Sequence, residues 1–153
     1  MSKIIIRKTE ELKKWRRNLK NNINFIPTMG NLHEGHQKLI STAKNSDCNT
    51  NLVSIFVNPL QFDSKEDLKN YPKTIEKDIE IAFSTGADIV FIPTTIDIYP
   101  PNNKSISYLK ASTELSSSLC GLKREGHFDG VCTVVFRLLK LVKPKNLYLG
   151  EKD

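Results

Sequence analysis

Short, mostly apolar segments that alternate with amphipathic segments constrain the fold of this chain most strongly. Residues 51–57 form an apolar run of strand length, which is typical of a strand buried on both faces. Residues 34–45 instead place Leu39, Ile40 and Ala43 on one side of a helix. Strands that are separated by helices are usually parallel and joined by right-handed crossovers. The sequence therefore predicts an α/β fold with a parallel sheet flanked by helices.

The same criteria assign the other elements. Predicted strands cover residues 3–7, 24–27, 51–57, 88–93 and 146–149. Predicted helices cover residues 9–21, 34–45, 74–85 and 128–142, and the last is apolar nearly all round, as expected of a central helix. We expect a loop at 58–72 and leave 94–112 unassigned, apart from a possible strand at 105–109. Because the sequence has no internal repeat or linker, we predict one domain over residues 1–153.

The net charge of +6 comes from one end of the chain. Residues 1–20 hold eight Lys or Arg and two Glu, and the rest of the chain is balanced. Leu12, Trp15 and Leu19 would share one helical face, so we interpret the basic residues as a solvated face and predict no nucleic-acid partner. No apolar run has the length of a membrane span and the N-terminus has no signal pattern, which predicts a cytoplasmic protein without a membrane partner.

The clearest chemical signal is a strand-to-helix segment at residues 27–36, with the sequence PTMGNLHEGH. Gly30 would allow a tight turn, and Gly35 would remove a side chain where phosphates approach. The N-terminus of the following helix offers unpaired N–H groups and a favourable dipole to an anion. His33 and His36 are three residues apart and share one helical face, so both imidazoles could stabilise charge that builds on a phosphate.

This pattern predicts transfer at the α-phosphate of a nucleotide, with pyrophosphate as the leaving group. A capped helix with two surface histidines is the structural alternative. We do not predict zinc, because the two histidines lack the i, i+4 spacing of a zincin and no third ligand is evident. By itself the motif indicates only the nucleotidyltransferase superfamily, which also contains adenylyltransferases, cytidylyltransferases and class I tRNA synthetases.

Further blocks, in order from about residue 3 to residue 153, resemble the pantothenate synthetase family. They are residues 53–62 (VSIFVNPLQF), 67–68 (DL), 71–72 (YP), Thr74, Asp78, 86–91 (GADIVF), 99–100 (YP), Arg124, 126–128 (GHF), 130–131 (GV), 133–135 (TVV) and 150–153 (GEKD). The resemblance implies a Rossmann-like nucleotidyltransferase fold. It also implies that residues 1–153 are the N-terminal domain that binds ATP and pantoate, and that the family's smaller C-terminal domain lies outside this chain.

The resemblance further implies an activity and a set of site residues. The activity is the ATP-dependent condensation of (R)-pantoate with β-alanine through a pantoyl adenylate, with Mg²⁺ accompanying ATP and with a homodimer as the assembly. The implied catalytic residues are His33, His36 and Lys152, with His36 as the proton donor. The implied ATP contacts are Met29, Gly30, Asn31, Leu32, His33, Glu34, Gly35, His36, Gly150, Glu151, Lys152 and Asp153. The implied substrate contacts are Pro27, Met29, Asn58, Gln61, Arg124 and His127, and Asp78 is a candidate metal contact.

Two other functions stay open on the sequence alone. Another nucleotidyltransferase with the same histidine motif would leave a nucleotide on its product, whereas pantothenate synthetases release AMP. A non-catalytic, isolated domain would bind ATP without turnover. Binding of nucleic acid is a more distant third possibility, and it would require an affinity that falls steeply with salt.

Overall fold

The computed structural model describes residues 2–47, 50–101 and 127–151, and of His127 the backbone only. Within these ranges a five-stranded parallel sheet has the strand order β1-β4-β3-β2-β5. The strands are β1 (Ile4–Ile6), β2 (Ile23–Thr28), β3 (Thr50–Ile55), β4 (Ile89–Phe91) and β5 (Asn146–Leu147). The predicted parallel sheet is therefore confirmed, and each observed strand overlaps a predicted one.

The helices lie between the strands along the chain. They are α1 (Thr9–Asn18), α2 (Glu34–Lys44), α3 (Lys65–Asn70), α4 (Ile75–Thr85), α5 (Thr95–Ile98) and α6 (His127–Val142), with a 3-10 turn at Pro59–Gln61. The four predicted helices are confirmed. The loop predicted at 58–72 was wrong in part, because it contains the 3-10 turn and α3. In the described part of the chain, no helix is long and apolar enough to cross a membrane. The possible strand at 105–109 lies outside the described residues.

Both short helices that the sequence reading missed begin at a capping residue. The Ser64 hydroxyl accepts the Asp67 N–H at 3.1 Å before α3. Thr94 and Asp97 cap each other's backbone at the start of α5. Helices of six and four residues are too short to show a hydrophobic period, so only their caps could have revealed them.

The hydrophobic core consists of two clusters, one on each face of the sheet. Successive strand residues point to opposite faces, and accordingly Phe25 belongs to one cluster and Ile26 to the other. The Phe25 cluster also contains Leu12 of α1 and Leu138 of α6. The Ile26 cluster instead packs against α2 and α4. This double covering explains why every residue of β3 is buried, including the polar Thr50, Asn51 and Ser54.

Helix α6 is not buried all round, contrary to the prediction. Gly130, Val134 and Leu138 are buried, whereas the neighbouring Val131 and Val135 are half-buried. Both valines line a cavity together with Val134 and Leu138. One apolar face of this helix is therefore partly a cavity wall and not wholly core.

One residue of the basic segment helps to end α6. Lys143, directly after the helix, has a φ of +48°. Arg16 Nε donates to the Val142 carbonyl at 2.9 Å, and a terminal guanidinium nitrogen donates to the Lys143 carbonyl at 3.1 Å. A helix leaves its last carbonyls without partners, and Arg16 satisfies two of these acceptors. The interpretation of the basic residues as a purely solvated face was thus incomplete.

Candidate active site

The site lies in a crevice at the carboxyl ends of β2, β3 and β5. Strands β3 and β4 follow on one side of β2, and β5 pairs on its other side, so the strand order reverses at β2. Ligands of open parallel sheets bind at such a switch point. A cavity of about 220 Å³ opens here and is lined by Pro27, Thr28, Met29, His36, Phe56, Gln61, Tyr71, Phe128, Val131, Val134, Val135, Leu138 and Leu149.

The loop between β2 and α2, residues 29–33, turns sharply, as the sequence predicted. Gly30 and Asn31 have φ values of +77° and +52°. The Thr28 hydroxyl accepts the Gly30 N–H at 3.1 Å and donates to the Ser54 carbonyl at 2.8 Å. A Cβ at position 30 would lie 2.9 Å from the Asp78 carboxylate. Both the backbone conformation and the space therefore favour glycine at this position.

Asp78 holds this loop from below. Its two carboxylate oxygens accept the N–H groups of Asn31 and Leu32, each at 2.9 Å. The Thr74 hydroxyl donates to the same carboxylate at 3.0 Å. The Asp78 side chain is 1% exposed and faces the loop, not the cavity lined by His36.

These contacts occupy the Asp78 carboxylate, and the metal contact predicted for Asp78 stays a prediction. A metal ion would have to compete with three hydrogen bonds for a carboxylate that is almost fully buried. In residues 2–47, 50–101 and 127–151, no group of three His, Cys, Asp or Glu could hold a metal ion. In this structure Asp78 is an anchor of the loop.

The two histidines lie side by side at the start of α2. Their ring centroids are 4.0 Å apart, so both can reach one ligand. His33 Nδ1 accepts the Gly35 N–H at 3.0 Å, and His36 Nδ1 accepts the His33 N–H at 3.2 Å. A nitrogen that accepts a hydrogen bond carries no proton, so the neutral rings carry theirs on Nε2. Each histidine therefore caps the helix with Nδ1, and its neutral ring carries the proton on Nε2.

The structure gives a reason for glycine at position 35 besides the predicted one. A Cβ there would lie 2.8 Å from Cε1 of the His33 ring. The missing side chain therefore makes room for the capping histidine. The predicted approach of a phosphate at this position stays a prediction.

Gln61 lines the cavity, whereas Asn58 lies behind it. Asn58 is 0% exposed. Its Nδ2 donates to Gln61 Oε1 at 2.9 Å and to the Gly130 carbonyl at 3.0 Å. Its Oδ1 accepts the Leu60 N–H at 3.3 Å and the Tyr99 hydroxyl at 2.9 Å.

Two donors and two acceptors are all that a carboxamide has. The structure therefore leaves Asn58 no hydrogen-bonding capacity for a substrate. In this structure Asn58 supports Gln61, and the substrate contact that the resemblance implied for Asn58 stays a prediction.

Tyr71 is a cavity residue for which the sequence predicted no separate role. Its ring meets Phe62 edge to face, with centroids 5.4 Å apart. Burial, and next the charge of Asp78, raises the pKa of the Tyr71 phenol above its usual value. Tyr71 therefore offers the cavity a protonated hydroxyl at neutral pH.

The remaining predicted site residues are only partly described. Gly150 and Glu151 follow β5, at the same end of the sheet as the loop. Lys152, Asp153 and Arg124 lie outside the described residues, as does the side chain of His127. Their predicted roles stay predictions. Cys132 is a free, half-buried thiol.

The parallel sheet, the switch-point cavity and the paired histidines at a helix start define a Rossmann-like domain of the nucleotidyltransferase type. The sequence matches the Pantoate-beta-alanine ligase family over residues 4–153. The chain belongs to that family.

Relatives of known name agree with this assignment. A "Bifunctional pantoate ligase/cytidylate kinase" of Prochlorococcus marinus subsp. pastoris is 81% identical over 153 residues, and one of strain MIT 9215 is 74% identical. Each match covers 100% of this chain but 30% of the relative, so the chain spans less than a third of the curated relatives that it matches.

Solved structures agree as well. The pantoate-beta-alanine ligase of Francisella tularensis, complexed with beta-gamma ATP and beta-alanine, is 42% identical with a TM-score of 0.90, and the match covers 98% of this chain and 57% of that one. The pantothenate synthetase of Thermus thermophilus is 36% identical with a TM-score of 0.86, over 99% of this chain and 52% of that one.

Proposed function

We propose that this chain binds ATP and pantoate in an enzyme that condenses (R)-pantoate with β-alanine to give pantothenate, AMP and pyrophosphate. The observation that carries the proposal is one cavity at the switch point that is lined by both His36 and Gln61. A donor for a phosphate and a carboxamide for a hydroxy acid thus face the same space. The Francisella ligase, solved with beta-gamma ATP and beta-alanine, supports the proposal.

In the first step, a carboxylate oxygen of pantoate attacks the α-phosphorus of ATP. The bond from that phosphorus to the oxygen bridging to the β-phosphate breaks, and pyrophosphate leaves with the bonding electrons. The Nε2–H groups of His33 and His36 would donate to phosphate oxygens on which charge builds. Because their Nδ1 atoms are tied to the backbone, the rings need no reorientation during the reaction.

In the second step, the amine of β-alanine attacks the acyl carbon of pantoyl adenylate. The acyl–oxygen bond breaks, AMP leaves, and the amine loses a proton. Adenylation supports this step because AMP is a far better leaving group than hydroxide. Binding both reactants in one cavity also means that the entropy cost of bringing them together is met on binding and not in the chemical step.

The cavity walls suit pantoate. Phe56, Val131 and Val134 provide apolar surface for its two methyl groups. Gln61 provides a carboxamide for its oxygen atoms. A mostly apolar wall with a few polar groups also limits the access of water to the reactive adenylate.

The Asp78 carboxylate accepts hydrogen bonds from the loop after β2. Mg²⁺ would therefore be held mainly by the ATP phosphates. Further parts of the proposal follow from the family resemblance. Gly150, Glu151, Lys152 and Asp153 would lie along the nucleotide, and Arg124 and His127 would contact substrate. The protein would be a cytoplasmic homodimer.

The test is pantoate-dependent exchange of labelled pyrophosphate into ATP by the 153-residue chain. We expect exchange that requires pantoate and that falls by about 100-fold or more in His36→Ala, the usual cost of losing an oxyanion donor. Lys38→Ala, an exposed change on the same helix, is the matched control and should exchange normally.

The other outcomes separate the remaining functions. A nucleotide that stays on the product indicates a different nucleotidyltransferase. ATP that binds without exchange in the presence of pantoate indicates a non-catalytic nucleotide-binding domain. A chain that binds neither ATP nor pantoate would contradict the assignment of the cavity itself.

A further inference from the structure

We propose that Tyr99 is a positioning residue: it secures the Asn58 amide, whose orientation the backbone dictates, and Asn58 in turn orients the Gln61 carboxamide. In that orientation Gln61 turns its Nε2 donor group, and not its oxygen, toward the acid substrate. This inference rests on the proposed function, because it assumes that the cavity beside Gln61 receives a hydroxy acid.

The orientation of the Asn58 amide is dictated by the backbone on both sides. The Leu60 N–H can only donate, so it must face Oδ1, at 3.3 Å. The Gly130 carbonyl can only accept, so it must face Nδ2, at 3.0 Å. An Asn58 side chain turned by half a revolution would lose both hydrogen bonds and set like groups against each other.

The fixed Asn58 amide then dictates the roles of its two side-chain neighbours. Tyr99 Oη, 2.9 Å from Oδ1, must donate its proton to Asn58. Gln61, 2.9 Å from Nδ2, must accept with Oε1. Because the oxygen and the nitrogen of a carboxamide branch apart from one carbon, fixing Oε1 at Asn58 also fixes the side on which Nε2 lies. Tyr99 and Gln61 thus hold opposite ends of one amide.

Tyr99 is itself held in place by two other elements. Its ring lies against Phe56 at the end of β3, with centroids 6.2 Å apart. The Arg137 guanidinium of α6 lies 5.7 Å from the ring centroid, and Arg137 Nε donates to the Ile98 carbonyl. The hydroxyl is therefore aimed at Asn58 by packing from β3 and from α6. It is not free to swing toward water.

Gly130 makes the hydrogen bond between α6 and Asn58 possible. A Cβ at this position would lie 2.5 Å from the Leu60 carbonyl oxygen. Only a glycine lets α6 approach the 3-10 turn Pro59–Gln61 so closely that its backbone carbonyl reaches Asn58. The three segments that meet at Asn58 are thus the turn, α6 and the residue after α5.

The donor orientation matches the chemistry of the proposed substrate. A carboxylate has only acceptor oxygens, and a hydroxyl can accept as well. An Nε2 group can donate to both kinds of oxygen, whereas Oε1 in the same place would repel the carboxylate. Tyr99, which does not line the cavity, would therefore act on the affinity for the acid and not on the chemical step.

The kinetic test compares Tyr99→Phe with Tyr148→Phe in the pyrophosphate-exchange assay. Tyr148 is a half-buried tyrosine that packs against the other core cluster and serves as the matched control. Loss of the hydrogen bond from Tyr99 to Asn58 should raise the pantoate KM by about three- to tenfold, with kcat and the ATP KM within about twofold. Tyr148→Phe should leave all three constants unchanged.

A double-mutant cycle then separates positioning from packing. In a Gln61→Leu background no carboxamide is left to orient, so Tyr99→Phe should have no further effect on the pantoate KM. An undiminished effect in that background, or equal effects of Tyr99→Phe and Tyr148→Phe, would overturn the proposal.

A second readout does not depend on substrate or activity. Side-chain amide signals of Asn58 and Gln61 in a ¹⁵N NMR spectrum should shift in Tyr99→Phe and stay in place in Tyr148→Phe. Coincident Gln61 signals in the wild type and Tyr99→Phe would refute the relay even if the chain shows no exchange. Shifted signals without exchange would instead support the relay and contradict the proposed function.

Discussion

The loop after β2 and the turn after β3 follow neighbouring strands. Each is held by a buried side chain, but the two side chains differ in their hydrogen-bonding groups. The loop, residues 29–33, is held by the Asp78 carboxylate, which only accepts hydrogen bonds. The turn Pro59–Gln61 is held by the Asn58 carboxamide, which donates twice and accepts twice. The two side chains are equally hidden, at 1% and 0% exposed.

The difference follows from the backbone that each side chain serves. The β2–α2 loop leads into a helix start, where N–H groups outnumber carbonyl partners, and a carboxylate suits a surplus of donors. The turn meets a backbone N–H at Leu60 and a backbone carbonyl at Gly130, so only a group with both functions fits. The local balance of donors and acceptors, and not burial, thus decides which polar residue is used.

The largest expected effect comes from Asn58→Asp, which tests this balance at the turn. The new carboxylate would face the Gly130 carbonyl and Gln61 Oε1 with no donor to offer. We expect the free energy of unfolding to fall by about 3–5 kcal/mol, as for an uncompensated buried charge. Urea unfolding followed by Trp15 fluorescence measures it. The exposed control Asn22→Asp should stay within about 0.5 kcal/mol, and an equal result for both variants would refute the comparison.

The reciprocal change, Asp78→Asn, should cost less. The amide nitrogen must then face the N–H of either Asn31 or Leu32, which leaves one buried donor unpaired. We expect a loss of about 1–3 kcal/mol in the free energy of unfolding. Asp47→Asn is the exposed control. If Asp78→Asn unfolds at the same urea concentration as the wild type, the loop does not need an acceptor-only anchor.

A smaller effect should follow from Gly130→Ala, which tests the close approach of α6 to the turn. The steric cost of the added methyl group is partly offset by the higher helix propensity of alanine, so we expect a net loss of about 1–2 kcal/mol. Because the loop after β2 is untouched, the affinity for pantoate should fall while that for ATP is kept. Calorimetric titration of each ligand measures both, and parallel losses would contradict separate anchoring of the two segments.

The smallest effect concerns Tyr71, whose pKa is raised in part by the charge of Asp78. The Tyr71→Phe difference in phenolate absorbance should titrate with a midpoint above pH 10, because burial and then Asp78 raise the pKa. A raised pKa in the folded state also contributes to stability. The contribution of Tyr71 is fully present below pH 10 and is lost as the pH rises through the raised pKa. In Asp78→Asn the midpoint should fall but remain above 10, since burial is the larger cause. An unchanged midpoint would mean that the charge of Asp78 does not affect the pKa of Tyr71.

Much of the site was visible in the sequence because its signals are local. The turn at Gly30, the helix that starts at Glu34 and the shared face of His33 and His36 all follow from spacings of a few residues. The same holds for the strands, whose apolar runs report burial on both faces. The helix α3 and the 3-10 turn were missed, because segments of six and three residues are too short for a hydrophobic periodicity to be recognised.

The parallel α/β architecture, the place of the histidine motif in it and the resemblance to one family could all be predicted from the sequence. Two contacts could not. Asp78 anchors a loop 47 residues away, and Asn58, which supports Gln61, also donates to a carbonyl 72 residues away. Periodicity along the chain reports which face of an element is buried. The matching of donors to acceptors across space is fixed only when the elements pack, because no local pattern says which groups will meet.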